Sequence, residues 1–294
     1  MAYSDQTTVA LSGTAATEQH KHIVDILIEE RGQGVMNAPW WPLVQPAAFR
    51  ILGYRRALEM ANIISNMPAQ RIFDHLSALL QLNLDVLGLK SVPKTGPVVL
   101  VSNHPTGIAD GVVLYDAIGS RRKDLSIFAN RDAIRINPRL ADMIIPVEWR
   151  AKFKTREKSR ETLRLAGKAF AEDRAVVLFP SGRLAHWHEG RLTERPWMTS
   201  ALAMARRYKV PIIPVHMGGR NSALFYFLTR ISTELRDMTV FNELLNKKHA
   251  HYQVHFGQPI DPALLDGDLN SLSERLRTHC ADILAQDPDA VFTD

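Results

Sequence analysis

The chain has 294 residues, 46% apolar and 23% charged, the balance of an ordinary globular protein able to bury roughly three quarters of its unfolded surface. No apolar run approaches the ~18–20 residues needed to span a bilayer, and the N-terminus carries no basic-then-apolar signal; a single cysteine, Cys280, excludes an internal disulfide and fits a reducing cytosol. The net charge is only +5, but thirteen Lys and Arg residues lie between Arg121 and Arg164 against six acids, a basic stretch suited to phosphate headgroups, anionic lipid, an acidic carrier protein or nucleic acid.

Residues 1–17 are small and polar and are expected to be disordered. Helical periodicity starts near Glu18, and Gly32 and Gly34 are expected to stop it. Residues 35–46 contain Pro39-Trp40-Trp41-Pro42 and are expected to be non-helical, because proline obstructs a helix. Two further helices are expected over 47–65 and 69–87, separated by Asn66-Met67-Pro68. Residues 18–90 thus form an N-terminal helical region ahead of an α/β domain over 91–294. Trp40 and Trp41 either pack on the core or lie at a membrane interface, where tryptophan is favoured.

The stretch 97–111 organises the rest. Val98 to Val101 reads as a buried strand, although so short a run does not by periodicity exclude a helical segment. It ends in Ser102-Asn103-His104-Pro105, and apolar residues resume at Ile108 as a helix. His104 is therefore expected at the tip of a strand-to-helix turn, where ligands collect in open α/β sheets. Asp110 lies six positions on, and contact requires the chain to bend between them, for which Gly107 is suited. A histidine held by a carboxylate is the equipment of a general base.

Further strands are expected over 125–129 and 143–147, the second ending in Glu148-Trp149-Arg150, with a short helical or turn element at 136–140. A helix over 155–171 precedes a buried strand that empties into Phe179-Pro180-Ser181-Gly182-Arg183. A helix over 196–208 leads to the strand-like Val210-Pro211-Ile212-Ile213-Pro214-Val215-His216. Helical stretches around Leu224–Leu228 and over 240–246, a strand over 252–256 and a closing helix over 271–285 complete the chain. His186, His188, His249 and His251 lack the cysteine or carboxylate partners of a metal site and read as polar surface or lining residues.

Asn103-His104 followed by Asp110, Arg150 after a strand, Phe179 to Arg183 and Val210 to Val215 resemble, in order, the four motifs of the glycerophospholipid acyltransferase superfamily. The usual first motif has four residues between His and Asp. The five found here, in His-Pro-x-Gly-x-x-Asp-Gly, resemble a bacterial subgroup often labelled hemolysin-like. The resemblance spans roughly residues 90–260 and implies an acyltransferase-like mixed sheet flanked by helices. It implies His104 and Asp110 as the catalytic pair, with Asn103, Gly107, Arg150, Ser181, Gly182 and Arg183 binding substrate. Pro211, Ile213 and Pro214 would line the acyl site. Ser181 stands where many members carry Glu; the Gly-x-Ser-x-Gly elbow of a hydrolase nucleophile is absent around it.

The implied reaction is acyl transfer from acyl-CoA or acyl carrier protein, with no permanently bound cofactor or metal, to a lysophospholipid or glycerol-phosphate-type hydroxyl. The expected location is the cytoplasm, peripheral on the inner face of an anionic cytoplasmic membrane, without a nucleic-acid partner. The alternatives are a lyso-aminolipid acceptor of the ornithine-lipid kind, or a non-catalytic protein binding anionic lipid or nucleic acid.

Overall fold

The computed structural model describes residues 21–148 and 150–293, so the segment expected to be disordered lies outside the described residues. The described chain begins with five helices: α1 (Ile23–Arg31), α2 (Gln33–Met36), α3 (Trp41–Ile51), α4 (Tyr54–Ile64) and α5 (Ala69–Leu80). The His22 ring caps α1 by accepting from Val24 N, and the chain turns at Gly32, whereas Gly34 sits inside α2 and does not break it.

Three expectations are corrected here. Helix α3 starts at Trp41 because Pro42 occupies the first turn, where a missing N–H costs nothing; Pro46 lies farther inside the same helix. The single helix expected over 47–65 is two, divided at Leu52-Gly53, with Gly53 left-handed at φ +66°. The helix expected to reach residue 87 ends at Leu80, and Asn83–Leu87 is strand β1. In β1 half-buried Leu84 and Val86 alternate with exposed Asn83, Asp85 and Leu87, which is a period of two. The sheet therefore begins ahead of residue 91. Of the adjacent tryptophans, Trp41 is buried and Trp40 is exposed.

The remaining strands are β2 (Val98–Ser102), β3 (Leu125–Asn130), β4 (Ile144–Val147), β5 (Ala175–Leu178), β6 (His186–His188), β7 (Arg191–Thr193), β8 (Ile212–Met217) and β9 (His251–Phe256). Seven form one sheet in the order β1-β9-β8-β2-β5-β3-β4, parallel throughout except between β8 and β9. The architecture is the mixed, helix-flanked sheet expected. Strands β6 and β7 form a separate antiparallel hairpin that the sequence reading does not contain.

The helices between and after them are α6 (Ile108–Ile118), α7 (Asp132–Ile136), α8 (Arg156–Ala171), α9 (Ser200–Tyr208), α10 (Ala223–Ile231), α11 (Thr233–Met238), α12 (Val240–Leu245), α13 (Leu269–Thr278) and α14 (Leu284–Gln286). Every residue of central β2 is buried, which explains its unbroken apolar run. Val98 and Leu100 join a core shared with α1, α4, α5 and α6; Val99 and Val101 point the other way into a core with α8, α9 and α13. The first core is continuous from Leu27 through Ile72 and Leu114 to Tyr252, so the N-terminal helices are part of it. No helix among the described residues is long and apolar enough to cross a membrane.

Candidate active site

The site is built where β2 ends. The Asn103 amide donates to the carbonyl of Met217 (2.8 Å) and accepts from its N–H (2.7 Å), tying the end of β2 to the end of β8. Asn103 thus uses both ends of its side chain on backbone. One residue on, the His104 Nδ1 is hydrogen-bonded to Asp110 Oδ2 at 2.8 Å. The bend needed for this contact is made at Gly107, which has φ +94° and precedes the first residue of α6.

Asp110 is wholly buried, and its carboxylate is surrounded by donors. Oδ2 accepts from the backbone N–H of Thr106 and of Gly107, each at 3.0 Å, and Oδ1 accepts from the Thr106 hydroxyl. The Thr106 hydroxyl is also hydrogen-bonded to the Tyr252 hydroxyl at 3.1 Å. Burial first, and then the charge of Asp110, hold the Tyr252 hydroxyl well above its usual pKa. With Nδ1 directed at Asp110, the lone pair of a neutral His104 ring lies on Nε2. The imidazole stacks on Phe179, with ring centres 4.3 Å apart.

His104 is also gripped by its own peptide groups. Its N–H donates to Glu194 Oε1 (2.9 Å), and its carbonyl accepts from Ala185 N (3.0 Å). Ala185 and Glu194 are the two ends of the segment that carries the β6–β7 hairpin, so that hairpin is closed onto the His104 turn. The other Glu194 oxygen accepts from the Trp197 indole (3.1 Å). Burial raises the Glu194 pKa against the opposing pull of these two donors. Sequence reasoning missed Glu194, Thr106 and Tyr252. Thr106 could have been found inside the His-to-Asp loop; Glu194 and Tyr252 have no local signal.

Strand β5 lies beside β2 and delivers the third expected block to the same edge. The Ser181 hydroxyl donates to the Arg183 carbonyl (2.6 Å) and closes a turn with Gly182 at φ +57°. Arg183 is exposed, two residues before the Ala185 contact with His104. Arg150 is placed elsewhere. It follows β4, three strands from β2 and thus about 14 Å away at roughly 4.8 Å per strand. Its guanidinium contacts Glu30 (2.7 Å), Glu148 (3.2 Å) and Asp132 (3.9 Å) and lies over Phe153. Of the residues expected to line the acyl site, Ile213 and Pro214 are buried in β8, and Pro211 is half-buried ahead of it.

Asn221 lies in the loop after β8. It is 4% exposed, and neither end of its side-chain amide has a hydrogen-bond partner among the described residues. A buried group left in that condition costs about 1–3 kcal/mol.

A buried carboxylate holding an imidazole, at the C-terminal edge of a sheet, equips the site to take a proton from a hydroxyl. Residues 83–218 match the family model described as Acyltransferase. The matched segment, a little under half of the chain, holds β1 to β8 and the His104–Asp110 pair. The chain is 27% identical to a lyso-glycine lipid O-acyltransferase of Bacteroides thetaiotaomicron over 209 residues, 68% of this chain and 75% of that protein. It is also 27% identical to a lyso-glycine lipid O-acyltransferase of Phocaeicola vulgatus over 187 residues, 62% and 65% of the two chains. Among solved structures, the 1-acyl-sn-glycerophosphate (LPA) acyltransferase PlsC of Thermotoga maritima matches with a TM-score of 0.48 and 16% identity. That match covers 88% of this chain and 98% of PlsC.

Proposed function

We propose that this protein is an acyltransferase that moves a fatty acyl group from an acyl thioester, on coenzyme A or acyl carrier protein, to the hydroxyl of a lyso-lipid. The observation that carries the reading is the 2.8 Å contact between His104 Nδ1 and buried Asp110. His104 Nε2 takes the hydroxyl proton as the oxygen attacks the thioester carbonyl. The tetrahedral intermediate expels the thiolate, which recovers the proton from His104, so one ester and one thiol leave. Asp110 keeps the ring in the required tautomer and stabilises the imidazolium. General-base help of this kind contributes ~10²–10⁴-fold. Arg183 faces the acceptor's headgroup beside the turn that Ser181 and Gly182 make. The acceptor role expected for Arg150 would require its carboxylate network to open.

The relatives named for lyso-glycine lipid favour an acceptor with an amino-acid headgroup; a lysophosphatidic acceptor is the second reading. Peripheral contact with an anionic membrane brings the enzyme to such a lipid. Exposed Trp40, Leu43, Val44 and Ile51 at α3 and Phe227 and Ile231 on α10 supply apolar side chains for it. These helices are linked through α2 and α11, which pack together.

The test is thioester consumption and ester formation by purified protein with both donors and with lyso-glycine lipid or lysophosphatidic acid. His104→Ala is expected to lose at least ~10²-fold in turnover while its melting curve stays cooperative. Near-normal turnover by that variant, or thioester loss without any acceptor, would end the reading.

A further inference from the structure

The two oxygens of buried Asp110 are served unequally. Oδ2 accepts from three donors, the N–H of Thr106, the N–H of Gly107 and the His104 ring. Oδ1 accepts from the Thr106 hydroxyl and has no other partner among the described residues. An ionised carboxylate only accepts, so the proton between these two oxygens is the one that Thr106 carries. That fixes the next hydrogen bond. The Thr106 oxygen lies 3.1 Å from the Tyr252 hydroxyl and, its one proton being given to Asp110, can only accept there. The hydrogen bonds therefore run from Tyr252 through Thr106 to Asp110, which holds His104.

Tyr252 belongs to β9, is 1% exposed and lies 146 residues from Thr106 in the chain. Burial, and next the charge of Asp110, keep its phenol protonated, so it remains a donor. Its ring lies against Gly219, at φ +116°, where a Cβ would come within 2.5 Å of it. Gly219 thus leaves the ring the space from which its hydroxyl reaches Thr106. The other titratable and charged groups around the pair are Glu194 beside the His104 peptide, Tyr226 of α10, Glu243 of α12 and Arg220. Glu243 is paired with Lys247 at 3.0 Å, and none of the four is hydrogen-bonded to Asp110 among the described residues.

We infer that Thr106 and Tyr252 are positioning residues of the proposed acyl transfer: Tyr252 aims the Thr106 hydroxyl at Asp110 Oδ1, and Thr106 sets how much negative charge Asp110 presents to the His104 ring. This rests on the acyl-transfer reading above and names two residues that act through Asp110. A hydrogen bond donated to a carboxylate spreads its charge. Without the Thr106 donor, Oδ1 stays buried with no partner, more charge faces the imidazole, and the protonated ring is favoured. The base is then lost at a higher pH. Hydrogen bonds in a chain polarise one another, so removing the Tyr252 hydroxyl acts in the same direction and more weakly.

The test is the pH dependence of kcat/KM in Thr106→Val, Thr106→Ser, Tyr252→Phe, Gly219→Ala and the Thr106→Val/Tyr252→Phe double variant. The His104 ring is titrated by NMR in the same proteins. Thr106→Val should move the acid limb up by roughly one pH unit and lower kcat about 10-fold. Thr106→Ser keeps the hydroxyl and should restore both. Tyr252→Phe should lower kcat by roughly 3-fold, and Gly219→Ala, which crowds the ring, should move the limb the same way. Because Tyr252 acts through Thr106, the double variant should match Thr106→Val alone. Additive losses in the double variant would overturn the inference. A lower thermal midpoint with the acid limb and ring titration unmoved in Thr106→Val would make the hydroxyls structural and overturn it as well. Without turnover by the unmodified protein the acyl-transfer reading falls, and the NMR titration still decides whether the two hydroxyls act on the His104 ring.

Discussion

His104 is held from three sides: its ring by Asp110 and Phe179, its N–H by Glu194, its carbonyl by Ala185. The ring contact is written locally, six positions apart, and so could be read from the motif. The Glu194 contact joins residues 90 positions apart and has no motif, so only folding reveals it. Replacing Glu194 by Ala leaves two buried donors, the His104 N–H and the Trp197 indole, without acceptors, at about 1–3 kcal/mol each. Glu194→Gln keeps one acceptor oxygen but turns an N–H₂ toward the other donor, so it should fall between wild type and Ala in stability. On the general-base role proposed for His104, misplacing it is costly, so both variants should lower kcat, Ala by up to ~10²-fold, with the acceptor KM little changed. Steady-state kinetics beside thermal melts would decide. A fall in stability with kcat intact would make Glu194 a scaffold residue only.

At the scale of elements, the strand-to-helix turn depends on one backbone conformation. Gly107 has φ +94° and ψ −123°, a region that side chains other than glycine's rarely enter, and a Cβ there would stand 3.1 Å from Leu184. Gly107→Ala should cost about 1–3 kcal/mol and draw Asp110 away from His104, seen as a lower denaturation midpoint together with reduced turnover. Gly96→Ala is the control: it shares the positive φ, at +85°, but its Cβ meets nothing within 4 Å and it lies outside the site. The strands were legible where apolar β-branched runs are bounded by Pro and Gly, as in β2, β5 and β8. Residues 81–87 misled because Leu82, Leu84 and Val86 continue an apolar tally from α5 while the period changes from 3.6 to two. The β6–β7 hairpin was illegible because its three-residue strands are polar and half-exposed.

At the scale of the molecule, Glu30 fastens the N-terminal helices to the far edge of the sheet. It pairs with Arg135 (2.7 Å) and Arg150 (2.7 Å), so α1, α7 and the end of β4 meet at one carboxylate. The hydrogen bond from Arg135 leads in lowering its pKa from 4.5 to about 2, against the effect of burial, with Arg150 adding to the shift. The folded state therefore binds fewer protons than the unfolded one between these values. The stability this pair contributes is present above pH 4.5 and is lost as the pH falls toward 2. Glu30→Gln should flatten that part of the stability-versus-pH curve, measurable by urea denaturation between pH 2 and 5. An unchanged slope would mean that solvent screens the pair fully.

The sequence by itself determined the local chemistry: a buried central strand, a histidine at its end, and a carboxylate within one bend of it. These depend on neighbours along the chain, and the resemblance to one family added the order of the blocks. Tertiary structure alone decided which distant residues meet there. It brought Glu194 and Ala185 to the His104 peptide, Tyr252 to Thr106, and Met217 to Asn103. It also carried Arg150 to the end of the outermost strand, because strand order, which places β4 third from β2, is set by how helices cover the two faces and not by any pattern along the chain.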